Sequence, residues 1–372
     1  MKIKLVLFLI IFAFFINDSV MAQLSGTIGY SWFFDDNPQR TPVGESEFVN
    51  SVKSDLNFKL FDKELYLNYQ GNFNAFRTIN DRTFQTHGLG LNYAFNTTHQ
   101  DEENIFTGVN YSIKKGVGDY TAYDFNQMSG FINGKFQLDE TLFLKPGFNT
   151  SYKIFTSLNN LVHFESFGSS QLSEFFSTGT GLFIETGFGL MNYSFDSGTL
   201  LTSSSKGSKK NNSFSVVQFR TMVKVSQSLF ENTGINVHYL LRKNLKENKG
   251  LFQSSDYIYS GDDELWDDPY GYSSNEIGTE LTQKMPYNFT LKLNAEFSNR
   301  HYTNNLSDSL NIAQRIDERF GFWAGLSKTF EDLPVIDNME ISIEYMLINN
   351  KSNSSSLSYK NNMLLFGLQI GF

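Results

Sequence analysis

From Leu65 to Ala75 the chain alternates: Leu65, Leu67, Tyr69, Gly71, Phe73 and Ala75 interleave with Tyr66, Asn68, Gln70, Asn72 and Asn74. From Tyr287 to Arg300 the pattern returns, with Tyr287, Phe289, Leu291, Leu293, Ala295 and Phe297 against Asn288, Thr290, Lys292, Asn294, Glu296 and Ser298. Period two places successive side chains on opposite faces of a strand, here one apolar and one polar. Strands of soluble domains run about five to six residues, whereas a tilted strand crossing a bilayer needs about 9–11. The length of the alternation therefore favours a membrane. The pattern predicts strands at 24–34, 47–60, 65–77, 83–96, 104–114, 121–138, 141–155, 163–177, 182–195, 214–230, 235–244, 275–285, 287–302, 315–330, 339–349 and 357–372. That is about sixteen; the segment 163–177 alternates poorly and leaves fourteen open.

The connections alternate too. Short ones fall at Asp62-Lys63-Glu64, Asp139-Glu140, Thr178 to Gly181 and Glu231 to Gly234; longer ones fall at 35–46, 196–213, 245–274 and 303–314. Outer-membrane barrels have short periplasmic turns and longer external loops. At the end of the chain Leu364, Phe366, Leu368, Ile370 and Phe372 share one face, which resembles the aromatic-terminated last strand of bacterial outer-membrane proteins. The expected fold is all-β: a transmembrane antiparallel up-and-down barrel over 23–372. Aromatics near strand ends, Tyr30, Trp32 and Phe33 at one rim and Tyr66 and Phe330 at the other, fit interfacial girdles.

Ahead of the barrel, Met1 to Lys4 carries two lysines, Leu5 to Ile16 is wholly apolar, and Val20-Met21-Ala22 is a small-residue site. This is the layout of a secretory signal peptide over 1–22. Twelve residues rise about 18 Å as a helix, short of a ~30 Å hydrocarbon core. A cleaved leader followed by a barrel implies an integral outer-membrane location with lipid as a partner.

Composition removes several classes. Aromatic residues make up 16% of the chain, with 38 Phe and 18 Tyr, which excludes disorder. There is no cysteine, so disulfide scaffolds, thiolate zinc sites and lipoprotein acylation are excluded. A formal charge of −9 argues against a nucleic-acid partner. The polar strand faces carry a different balance. Lys53, Lys59, Lys114, Lys135, Lys145, Lys153, Arg220, Lys224, Arg242, Lys284, Lys292, Arg300, Arg319 and Lys360 are assigned inward, against Asp55, Glu185, Glu280, Glu296, Glu340 and Glu344. A basic wall lowers the entry cost of anions. Arg220, Lys224, Arg242, Lys292 and Arg300 are the leading candidates for wall charges that meet a solute.

Other chemistry is sparse. The loop Ser255 to Tyr272 is rich in acids and aromatics, and Asp262, Asp263, Asp267 and Asp268 are its weak candidate metal ligands, although their spacing is not that of an EF-hand. A solvated external loop explains them as well. The same loop is the longest connection and hence the segment able to fold in and plug the lumen. The Ser/Lys/Asn-rich stretch 203–212 reads as an external tip. The five histidines are scattered, and neither His163 with Ser166 nor His301 with Asp308 is a recognisable catalytic motif. No H-E-x-x-H, G-x-S-x-G or phosphate-binding glycine loop occurs, so no catalytic residue and no cofactor are expected.

The stretch Phe33-Phe34-Asp35-Asp36-Asn37-Pro38, then Glu47-Phe48-Val49-Asn50 and Leu65 to Phe73, resembles the opening of β-barrel porin-2-like outer-membrane proteins, and the Phe- and Asn-rich composition is similar to that of the Bacteroidota. Phe320 to Phe372 resembles the barrel end of surface-lipoprotein assembly modifiers, without the helical repeats that precede it there. These resemblances imply an outer-membrane barrel and carry over no functional residue. TonB-dependent receptors, with about 22 strands and a plug, need far more chain. The expected function is passive passage of hydrophilic, anion-leaning solutes or export of a polymer. An assembly barrel in a surface or secretion complex is the alternative, discriminated by an occluded lumen. An outer-membrane hydrolase comes third, discriminated by a Ser/His/acid cluster at the outer rim. A homo-oligomeric state stays open.

Overall fold

The computed structural model describes residues 24–372 except 39, 61–63, 97–103, 159–160, 196–211, 247–268, 309–310, 332 and 335. The leader 1–22, the stretch 203–211 and the acidic loop positions Asp262, Asp263, Asp267 and Asp268 lie outside the described residues.

Sixteen strands follow one another: β1 Leu24–Asp35, β2 Glu47–Leu60, β3 Leu65–Phe76, β4 Phe84–Asn96, β5 Asn104–Gly116, β6 Phe125–Gln137, β7 Leu142–Phe155 and β8 Leu161–Phe175; then β9 Thr180–Phe195, β10 Asn212–Phe230, β11 Thr233–Lys246, β12 Tyr272–Met285, β13 Phe289–Asp308, β14 Asn311–Glu331, β15 Asn338–Ser352 and β16 Tyr359–Gly371. Each pairs antiparallel with its neighbours in sequence, and β1 pairs with β16, closing the barrel. The seam is finished by two backbone hydrogen bonds, Gly26 N to Phe372 O at 2.7 Å and Phe372 N to Gly26 O at 3.0 Å. Closure leaves no strand edge unpaired, the condition for a sheet in hydrocarbon.

The register assigns the faces. Tyr30 opposes Val52 and Leu368, and Leu89 opposes Tyr69 and Tyr111, on the exterior. Met128, Phe188 and Leu89 are 60%, 57% and 54% exposed there, an arrangement that only lipid makes favourable. The opposite face is wet and polar, as in the row Asp55, Gln70, Gly88 and Ser112.

Several expectations change. Phe33 opposes Val49 and Leu365, and Tyr66 opposes Lys59, so both turn inward and leave the girdle. Tyr66 instead donates to Glu64 Oε2 at 2.9 Å, beside the Lys59–Glu64 pair at 3.6 Å. Lys360 opposes Asn349 on the exterior parity of β16, the one basic assignment to the lumen that the register reverses. Residues 118–123 form a 3₁₀ turn rather than the start of a strand: Asp124 Oδ1 accepts from Gly116 N at 2.6 Å, and Gly118 has φ of 59°, favouring glycine. The expected loop 303–314 is mostly strand, with β13 running to Asp308 and β14 starting at Asn311.

The long-loop end is the packed end. Glu47 is fully buried there; Oε1 accepts from Phe48 N at 2.8 Å and Arg77 N at 3.1 Å, and Oε2 accepts from Ile79 N at 2.7 Å. Arg82 Nη1 donates to Pro38 O at 2.9 Å, and Asn361 Nδ2 to Asn37 O at 2.9 Å. These bonds draw the β1–β2 and β3–β4 connections down onto the inner wall. Phe125, Phe155 and Leu161 make a small apolar cluster on the same rim.

Candidate functional site

Of the wall charges named from sequence, three fall in one line along the wall, on consecutive strands. Arg220 on β10 is directly opposite Arg242 on β11, Arg242 is opposite Ser274 on β12, and Ser274 is opposite Arg300 on β13. The line ends at Asp317 on β14. Lys224 lies four residues further along β10 toward the short-turn end, with Nζ 4.5 Å from the Phe183 ring centre. Lys292 is inward-facing and exposed, opposite Thr282 and Gly325, and stands apart from the line.

The three arginines differ in surroundings. Arg242 Nη1 pairs with Glu276 Oε2 at 3.3 Å and donates to Ser274 Oγ at 3.5 Å. Arg300 is buried with its guanidinium 4.7 Å above the Tyr272 ring centre. Arg220 lies 5.7 Å above the Phe167 ring centre, and its Nε is enclosed without a hydrogen-bond partner. Cations laid over rings recur on this wall, at Lys114 over Phe84 and Lys135 over Phe143, 4.5 and 4.7 Å from the ring centres. Each contact is worth about 0.5–2 kcal/mol and holds a charged side chain flat against the wall.

Beside Arg220 the lumen holds a cavity of about 440 Å³ whose lining includes Gln127, Ser129, Phe131, Glu165, Phe167, Arg220, Arg242 and Tyr270. Its cover is the described end of the long β11–β12 connection. Gln218 Nε2 donates to Asn244 Oδ1 at 2.8 Å, Pro269 O at 2.7 Å and Tyr272 O at 3.2 Å, and Asn244 Nδ2 donates to Tyr270 O at 3.0 Å. Thus pinned, Tyr270 packs on Met191 and Tyr193 and its hydroxyl donates to Glu165 Oε1 at 3.0 Å. A Cβ at Gly189 would lie 2.3 Å from the Tyr270 hydroxyl, so this approach requires glycine.

Sequence reasoning missed Asp35, Glu47, Glu165, Glu276 and Asp317 as inward carboxylates. With Lys360 outside, the basic excess of the wall is smaller than expected. Alternation of β2 and β12 could have placed Glu47 and Glu276; Gln218 and Tyr270 carried no signal, because their role depends on a connection that folds inward.

His238, Glu276 and Glu296 bring ligand atoms all within 4.8 Å of one another. Glu276 is already held by Arg242, and His238 Nε2 lies 3.8 Å from Glu276 Oε1. That guanidinium compensates the carboxylate charge a cation would need, so the group reads as a balanced polar cluster. His163 faces inward and stacks on Tyr193, with ring centres 5.0 Å apart, whereas Ser166 has the opposite parity and contacts Thr150; the two cannot act together. His301 opposes Ser273 and Ile316 on the exterior.

A closed antiparallel barrel with an apolar outside and a charged, wet inside defines the class of transmembrane β-barrels. Within it, the chain is similar over nearly its whole length to solved outer-membrane barrels. The structure of OccAB1 from Acinetobacter baumannii is 10% identical, with 94% of this chain and 96% of that chain covered and a TM-score of 0.52. OccK5 (OpdH) and OccK8 (OprE) of Pseudomonas aeruginosa are 9% and 8% identical; each alignment covers 94% of this chain and 99% of that chain, with a TM-score of 0.49. At such identities the likeness is one of fold. No family model and no curated protein matches the sequence.

Proposed function

We propose that this chain is an outer-membrane channel for passive passage of hydrophilic solutes, delivered across the inner membrane by the leader 1–22, and that it favours anionic groups. The observation that carries the reading is the line Arg220, Arg242, Ser274 and Arg300 facing the lumen at the level where the Pro269–Gly271 turn is bonded to the wall. Fixed guanidinium groups in a low-dielectric wall replace part of the hydration an anion sheds on entry. Several inward carboxylates offset them, so the preference is moderate. Catalysis has no part in this reading: the work is the exchange of water for wall groups along the passage. The resemblance of the opening segments to β-barrel porin-2-like proteins supports the same reading.

The test is single-channel recording of the detergent-purified, full-length protein in planar bilayers. Ohmic conductance with a reversal potential showing anion permeability above cation permeability in a KCl gradient is the expected result. Arg220→Gln together with Arg242→Gln should move that potential toward the cation side. Cation preference in the wild type would remove the charge preference, and absence of conductance would leave the assembly barrel as the better reading.

A further inference from the structure

The cavity beside Arg220 holds a positive and a negative group that the protein itself does not bring together. Arg220 has no hydrogen-bond or ion-pair partner among the described residues; its one contact of note is the Phe167 ring. Glu165 lines the same cavity from β8, and its only side-chain partner among the described residues is the Tyr270 hydroxyl. The two do not pair with each other. The register adds a cost, because Arg220 stands directly opposite Arg242, and like charges at opposed positions destabilise a sheet. Arg242 pairs with Glu276, whereas Arg220 makes no such pair with Glu185, the inward carboxylate diagonal to it on β9.

A guanidinium with no ion pair and an enclosed, unbonded Nε is costly for the free protein, and an anionic ligand group would relieve it. A carboxylate left with one neutral donor is relieved in the same way by an ammonium. We infer that the Arg220–Glu165 cavity is a binding station for a zwitterion, an amino acid or short peptide whose carboxylate meets Arg220 and whose ammonium meets Glu165. The remainder of the wall fits such a solute. Gln127 and Ser129 offer amide and hydroxyl partners, and Phe131 and Phe167 offer an apolar side. A cavity of about 440 Å³ has room for a dipeptide. Tyr270, clamped by Gln218 and Asn244, fixes the Glu165 carboxylate in place.

This inference rests on the channel reading above, and its experiment separates the two. Single channels of the full-length protein are recorded in KCl at neutral pH while glycylglycine, N-acetylglycine or glycinamide is added. These carry both charges, the negative charge alone and the positive charge alone. Glycylglycine is expected to interrupt the current at a concentration about tenfold below either single-charge probe, the size of one charged hydrogen bond. Arg220→Gln should erase its advantage over glycinamide, and Glu165→Gln its advantage over N-acetylglycine, while Arg220→Lys should retain part of the first. Should Arg220→Gln fail to assemble, Glu165→Gln and the wild-type order of probes still decide. A conducting channel in which N-acetylglycine interrupts the current as well as glycylglycine overturns the zwitterion site and leaves the channel intact. Absence of conductance overturns both.

Discussion

Gly189 illustrates how narrowly single residues set the wall. It stands on β9 where any side chain would meet the Tyr270 ring and hydroxyl. Gly189→Val should push Tyr270 out of contact with Glu165, whereas Tyr270→Phe removes only the hydroxyl and should cost about 1 kcal/mol. Thermal unfolding in detergent should therefore show a larger loss for the valine than for the phenylalanine variant. Glu47 offers a sharper case at the packed rim. Its carboxylate is buried and accepts backbone N–H groups from Phe48, Arg77, Thr78 and Ile79. Glu47→Gln replaces an acceptor oxygen by a donor facing donors and should cost about 2–3 kcal/mol, read as a lowered unfolding midpoint. The sequence permits most of the inward basic residues to be placed, because their strands alternate cleanly. It hides Glu165 and Tyr270, because one lies on a strand of mixed faces and the other reaches the lumen only through the bonds of Gln218 to Pro269 O and Tyr272 O.

At the level of elements, the strand positions follow the hydrophobic pattern except where the environment of the strand changes. The sequence of β8 alternates poorly, and its register gives the reason. Phe167 faces inward beneath Arg220, and Ser166 faces outward and meets Thr150 at 3.2 Å, so each face carries a residue typical of the other. Beyond His301 the sequence Thr303-Asn304-Asn305-Leu306-Ser307-Asp308 lacks the alternation of the preceding strand and reads as a loop, although the backbone continues as strand to Asp308. Neighbours on β15 test the assignment of faces. Ile343 is exposed on the exterior opposite Phe366, whereas Ser342 faces the lumen opposite Gly367. Ile343→Arg should destabilise the barrel by up to about 2–4 kcal/mol in bilayers, depending on depth. Ser342→Arg should cost less in folding and instead alter conductance, because the added charge sits in the water-filled interior.

At the scale of the whole molecule, sixteen strands enclose more space than inward side chains can fill, so the width of the passage is set by what folds into it. Among the described residues one such feature is the Pro269–Gly271 turn, held by the side chains of Gln218 and Asn244. Gln218 is buried and its amide nitrogen serves Asn244, Pro269 O and Tyr272 O together. Gln218→Ala removes these bonds without touching an exterior residue or a charge. The turn should then loosen from the wall, Tyr270 should release Glu165, and the lumen beside the arginine line should widen. Single-channel conductance in KCl is expected to rise while anion preference falls, because ions then pass farther from Arg220 and Arg242. Unchanged conductance with altered preference would place the narrowest point elsewhere along the lumen. Unchanged values of both would mean that the turn does not shape the ion path. Width and charge are thus coupled through the Gln218 amide, and measuring both in the same variant separates a turn that merely decorates the wall from one that defines the passage.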